Sequence, residues 1–298
     1  MALQRRGMTL RVAAAALVAV LAMSGTAAAQ GRGGGSGKGP QAAPGPPARS
    51  GGQTSTAPVA LQPSPSFPQF GTWLDDATTA APGAGYASIG ATYWRGSNAS
   101  QTDAPIFGVT YGITNRAQLS ATIPFYRVSY DGFSGSGLDN VYVSGKFAMV
   151  SLDAGAGGFG VALGAVAEIR GAGFGEASRA HWAVPLSVEF RAQPVRLYGS
   201  TGYFSRGVFF AAGAFEWTLP TGTSLTASLA HSASVHGVTV ATMARVPGAT
   251  LRDASVFVLH PVSSRASVYV AGSRTFSRTR INGASSVSGG LSFRFAGP

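Results

Sequence analysis

Residues 111–126 read YGITNRAQLSATIPFY, and from Ala117 onward apolar and polar side chains alternate, with Arg116 the single charge in the stretch. A period of two sends successive side chains to opposite faces of a β-strand. One face carries Leu119, Ala121, Ile123 and Phe125; the other carries Gln118, Ser120, Thr122 and Tyr126. The apolar set is too slight for a thick sandwich core, and the polar set is hydroxyl and amide rather than ionic. Such a strand suits a wall with lipid on one side and a polar lumen on the other.

The same texture recurs along the chain. Thirteen alternating segments occupy 86–95, 104–113, 117–127, 140–150, 159–170, 181–191, 195–205, 208–218, 224–232, 237–245, 253–260, 265–276 and 286–295. A transmembrane β-strand needs only about 9 to 11 residues to cross, and no stretch here follows a helical period. Val143, Phe147 and Met149 oppose Ser144 and Lys146; Leu163 and Ile169 oppose Glu168 and Arg170; Leu186, Val188 and Phe190 oppose Ser187 and Glu189. Ionic residues fall on the polar parity, which has an energetic reason, because Arg or Lys facing lipid at the midplane costs about 2–4 kcal/mol. Lys146, Glu168, Arg170, Glu189, Glu216 and Arg294 are therefore expected to line the lumen. Tyr93, Trp94, Phe125, Tyr126, Trp182, Tyr203, Phe204 and Trp217 lie near segment ends, where interfacial aromatic girdles form.

A single-chain bacterial barrel has an even number of strands, so thirteen segments include one that is misread. Long connections belong at the outer face and tight turns at the inner one. Counting from the start, 96–103, 128–139 and 171–180 are long while 114–116 and 192–194 are short; counting from the end, 277–284 is outer and 261–264 inner. The two phasings collide between residues 205 and 247. The fold class expected is all-β, an antiparallel transmembrane barrel of 12 strands, with 14 as the alternative, spanning residues 69–298. A soluble β-sandwich or secreted barrel is the other all-β arrangement the segments allow.

The end of the chain agrees. Val287, Leu291, Phe293 and Phe295 share a parity and resemble the C-terminal strand signal of bacterial outer-membrane barrels, although Ala296, Gly297 and Pro298 follow the last aromatic residue. At the other end, residues 1–29 read as a secretory signal: Arg5, Arg6 and Arg11, a 12-residue apolar run over 12–23, then Ala27, Ala28 and Ala29. The run is short for a membrane-spanning helix, which needs about 20 residues. Residues 30–68 hold 8 of the 17 prolines and little to bury. They read as a disordered Gly/Pro-rich linker, with a peptidoglycan contact or a segment lying inside a pore as alternatives.

The net charge of +11 does not signal nucleic acid. Six of the 22 basic residues precede residue 68 and no acidic residue precedes Asp75, which leaves 16 basic against 11 acidic beyond that point, scattered singly. No basic stripe tracks a phosphate backbone. With no cysteine there is neither a disulfide framework nor a thiolate metal site.

One block resembles a known family. Tyr111-Gly112-Ile113-Thr114-Asn115-Arg116, the alternating run that stops at Pro124, Gly137-Leu138-Asp139 and Gly145-Lys146-Phe147 follow in the order of a tight turn, a strand ending in Pro, a Gly-rich loop with Asp and a returning strand. This is similar to a family of outer-membrane barrels described as transporters and named for the meta-pathway of phenol degradation. The resemblance is concentrated in residues 111–150. It implies a channel, with small aromatic or hydrophobic solutes as cargo.

Catalytic chemistry finds little support. His181, His231, His236 and His260 have no metal-ligand spacing, and Gly155-Ala156-Gly157-Gly158-Phe159-Gly160 lies between β-type segments with no helix to receive a phosphate. Neither a cofactor nor a metal is called for. Serines near the histidines leave a barrel hydrolase as a distant reading, and Asp131–Gly137 reads as an outer loop. The function expected is passage of small solutes across an outer membrane, with outer-membrane lipid as the surrounding partner. A closed structural or adhesion barrel is the alternative.

Overall fold

A computed structural model describes residues 73–96, 99–130, 133–151, 157–169, 180–205, 207–234, 238–240, 244–246, 250–277 and 284–296. The signal and linker segments, 1–29 and 30–68, lie outside the described residues, as do Arg170 and His236. The strands are β1 (Gly85–Arg95), β2 (Ala99–Gly112), β3 (Ala117–Tyr130), β4 (Phe133–Leu138), β5 (Val141–Val150), β6 (Gly157–Ile169), β7 (Ala180–Ala192), β8 (Val195–Phe204), β9 (Val208–Thr218), β10 (Ser224–Ser234), β11 (Val238–Val240), β12 (Ala244–Val246), β13 (Thr250–Pro261), β14 (Ala266–Ser277) and β15 (Ser285–Ala296).

Twelve of these form an antiparallel wall in the order β1, β2, β3, β5, β6, β7, β8, β9, β10, β13, β14, β15. Closure is made by β1, whose Ile89 pairs with Phe107 of β2 on one side and Leu291 of β15 on the other. A closed wall leaves no strand edge, which is the condition for exposing a sheet to hydrocarbon.

The odd segment is 237–245. Its strands β11 and β12 pair with each other and not with the wall, between β10 and β13, which pair directly. Alternation there serves a separate two-stranded pairing. The reading of Asp131–Gly137 as a loop is corrected in part: β4 pairs with the far half of β3, from Phe125↔Leu138 to Tyr130↔Phe133.

Side-chain parity follows the lipid–lumen division. On β7, Leu186 and Val188 are 38 % and 43 % exposed, while Ser187 and Glu189 are 2 % and 1 % exposed. Leu119, Ile123, Phe125, Val143, Phe147, Met149, Leu163, Phe190, Leu291 and Phe293 all face outward as well. Without water in hydrocarbon to reward polar groups, an exposed band of this kind is at home only in lipid.

Two corrections concern the interior. Phe204, expected in a girdle, points inward and packs with Phe210, Val166, Ala183 and Val208. A second apolar group, Ile106, Phe257, Leu259, Tyr269 and Ala271, fills the opposite side of the lumen. The lumen is thus part apolar rather than polar throughout. On the outer face Trp182, Tyr203 and Phe209 form a row with ring centroids 5.9 and 4.9 Å apart, and Tyr93, Phe125 and Trp217 are exposed outward as expected.

Candidate functional site: a lumen occupied by residues 73–84

The wall begins at Gly85, yet Trp73, Leu74, Asp75, Asp76, Ala77, Thr78, Ala80 and Ala84 are all buried. These residues belong to no strand. They run inside the barrel, and the reversal that puts them there is local. Ala81-Pro82-Gly83-Ala84 is a turn in which the Ala84 N–H donates to the Ala81 carbonyl at 2.9 Å and Gly83 adopts φ 73°. Proline at the second position and a left-handed glycine at the third is the type II combination. The turn is pinned to the rim of β2 by reciprocal bonds, Gly83 N–H to Gly112 O and Gly112 N–H to Ala84 O, each 2.9 Å. A Cβ at Gly112 would overlap the carbonyl oxygens of Ala80 and Ala81, so the close approach requires glycine there.

From the turn the segment climbs away from the rim where β1 starts and β15 ends. The Ala80 N–H donates to Gln118 Oε1 at 2.8 Å, and Thr78 Oγ1 donates to Glu189 Oε2 at 2.7 Å. Next come the two aspartates. Lys146 Nζ lies 2.8 Å from Asp75 Oδ1 and 3.0 Å from Asp76 Oδ1, and donates to the Asp76 carbonyl at 3.1 Å. Arg196 Nη2 lies 2.6 Å from Asp76 Oδ2. Higher still, the Asp75 N–H donates to Ser200 Oγ at 3.2 Å, and that hydroxyl donates to the Trp73 carbonyl. The Trp73 ring packs among Phe204, Phe210 and Val166, 6.3 Å from the Tyr142 ring.

The wall charges are organised before they reach the segment. Arg196 Nε donates to Glu189 Oε1 at 2.8 Å and its Nη1 lies 3.2 Å from Glu216 Oε2, so two edges of the guanidinium are held by β7 and β9 while Nη2 faces Asp76. Arg191 Nη2 bridges Glu189 Oε1 at 2.7 Å and Thr78 Oγ1 at 3.1 Å. Tyr198 stacks against Arg196, the guanidinium carbon 4.9 Å from the ring centroid. Burying so many charges is tolerable only because each is paired and hydrogen-bonded.

Among the six charged residues expected at the lumen, Lys146, Glu168, Glu189 and Glu216 are buried inside the barrel. Lys146, Glu189 and Glu216 belong to the cluster just described; Glu168 accepts from the Tyr142 hydroxyl at 3.2 Å. Arg294 is half-buried on the parity of buried Ser292, and its backbone N–H donates to the Arg265 carbonyl near the rim. Arg170 falls outside the described residues. The sequence reading missed Asp75, Asp76, Arg191 and Arg196. A signal existed: Leu197 is outward, so Arg196 and Tyr198 had to be inward, and Asp75-Asp76 are the first acidic residues of the chain. Among the described residues no three of His, Asp and Glu gather to hold a metal, and His260 Nδ1 lies 2.8 Å from Thr223 Oγ1 on an exposed turn.

The fold is that of bacterial outer-membrane porins and channels: a closed antiparallel barrel with an apolar exterior and charged groups inside. The COG4313 outer-membrane channel from Pseudomonas putida F1 superposes with a TM-score of 0.54 at 16% identity, over 74% of this chain and 98% of that one. The NanC porin gives 0.51 at 12% identity, over 70% of this chain and 100% of that one. At such identities the likeness is one of fold. No protein-family model and no curated protein matches the chain.

Proposed function

We propose that this protein is an outer-membrane channel for small solutes whose lumen is closed by its own residues 73–82. The observation that carries the reading is the occupancy of the lumen by a segment that contributes nothing to the wall and is docked on it through ion pairs from Lys146 and Arg196. Docked segments of this kind can leave without breaking a ladder hydrogen bond of the barrel. A side-chain plug grown from the strands could not. Barrels of 8 strands are filled by side chains and those of 16 to 18 leave an aqueous channel, so with 12 strands the removable segment decides whether a passage exists.

Lys146, Glu168, Glu189, Glu216 and Arg294 then line the passage, with Arg170 assigned to it on sequence parity. The aromatic cargo implied by the family resemblance is a narrower reading, for which Phe204, Phe210 and Tyr142 are the available surface. Orientation follows the expectation from loop lengths, with the rim of β1's start and β15's end on the periplasmic side.

Solute flux tests the reading. Vesicles carrying the full chain, or the Asp75→Asn/Asp76→Asn variant, are challenged osmotically with a pentose. Faster swelling with the variant supports a closable channel. Equal lack of swelling, from protein shown to be folded and inserted, overturns it in favour of a closed structural barrel.

A further inference from the structure

Asp75 and Asp76 are held the way a bound solute would be held. The Asp76 carboxylate is gripped at both oxygens by different side chains, Oδ1 by the Lys146 ammonium at 3.0 Å and Oδ2 by the Arg196 guanidinium at 2.6 Å. The Asp75 carboxylate shares the ammonium at 2.8 Å. Two-point, charge-assisted recognition of a carboxylate is geometrically selective as well as strong.

Two further features make this a built site. First, the guanidinium is also held by wall residues, Glu189 on Nε and Glu216 on Nη1, so its Nη2 keeps its aim when the segment withdraws. Second, Ser200 bonds the backbone on either side of Leu74, taking the Asp75 N–H and giving its proton to the Trp73 carbonyl. That hydroxyl is available to a polar group of another occupant. A cavity about the size of one water lies beside Asp75, bounded by Gln118, Ser120, Ser144 and Lys146.

We infer that Lys146, Arg196 and Ser200 form a binding site for small dicarboxylate solutes, and that Asp75 and Asp76 occupy it as an internal competitor. The inference rests on the channel reading above and names its solute class. Withdrawal of residues 73–82 exposes the two cations to the passage, and a solute carrying two carboxylates replaces the two it finds missing. The exchange is isoelectric, so it leaves no buried cation stranded. Binding and plugging are then mutually exclusive, and the solute itself shifts the population towards the open lumen.

Calorimetric titration of the detergent-folded full chain with glutarate, and with glutaramide as the uncharged control, tests this. If the docked segment competes, the apparent affinity of the native chain is lowered by the fraction of molecules whose site is vacant. The Asp75→Asn/Asp76→Asn variant should therefore bind glutarate at least about tenfold more tightly than the native chain, and glutaramide not measurably. Adding Lys146→Gln should weaken glutarate at least about tenfold, whereas adding Lys146→Arg, which keeps the charge but not the ammonium's geometry, should weaken it less. Heat-modifiable gel mobility establishes that each variant is folded. Failure of the aspartate variant to bind glutarate, or binding indifferent to Lys146→Gln, overturns the site. Glutarate binding in protein that passes no current refutes the channel while leaving the site; current without glutarate binding refutes the site and leaves the channel.

Discussion

Arg196 serves three carboxylates at once, Glu189, Glu216 and Asp76. Removing one partner of a buried pair is costly because the other charge is left behind, typically by about 3–5 kcal/mol. Arg196→Met keeps most of the volume, strands Glu216 in the wall and leaves Glu189 with Arg191 as its cation. The expected result is a loss of about 3–5 kcal/mol of barrel stability, read as an earlier midpoint in urea unfolding from vesicles. Glu216→Gln removes one partner of three and should cost less than half as much in the same assay. These residues were only partly legible in the sequence. Parity assigned Lys146, Glu189 and Glu216 to the interior because lipid penalises a charge at every outward position. Nothing along the chain announced that their partners would be Asp75 and Asp76, since Lys146 and Asp75 are 71 residues apart.

At the level of elements, the outward faces were the most readable feature, for the same lipid penalty acts on every strand. Leu186→Arg at the middle of β7 should cost about 2–4 kcal/mol, measured as the refolding equilibrium into vesicles. Ser187→Ala, its inward neighbour, should change that equilibrium little. Where both parities are apolar the signal vanishes: in β13, outward Val256 is followed by inward Phe257, and inward Leu259 comes two residues later. The interior cluster there was therefore invisible. The segment 237–245 alternates as well as any wall strand, and only the count of crossings could expose it. β4, with the sequence FSGSGL, has too few side chains to show a period.

The segment 73–84 is an element of another kind, held by a turn and by charges rather than by a ladder. Pro82-Gly83 was a turn signal in plain view; what it could not convey was that the chain doubles back into the lumen. Gly112→Ala places a methyl group against the carbonyl oxygens of Ala80 and Ala81, which are backbone and must give way. The expected outcome is a displaced turn, with faster solute entry in vesicle swelling and unaltered heat-modifiable mobility. Swelling identical to that of the native chain would mean that the turn does not govern the passage.

For the whole molecule, the wall and the segment answer to different forces. The wall is fixed by twelve mutually paired strands whose ladder hydrogen bonds have no competitor in lipid. Residues 73–82 are fixed chiefly by buried ion pairs and hydrogen bonds to side chains of the lumen wall, which another charged group can replace. This difference allows one to move while the other stays. Single-channel recording in a planar bilayer addresses it most directly, comparing the full chain with its Asp75→Asn/Asp76→Asn variant. The account predicts a native chain that is mostly closed, with brief steps, and a variant with long-lived openings of larger conductance. Identical traces from the two proteins, both folded and inserted, would contradict it.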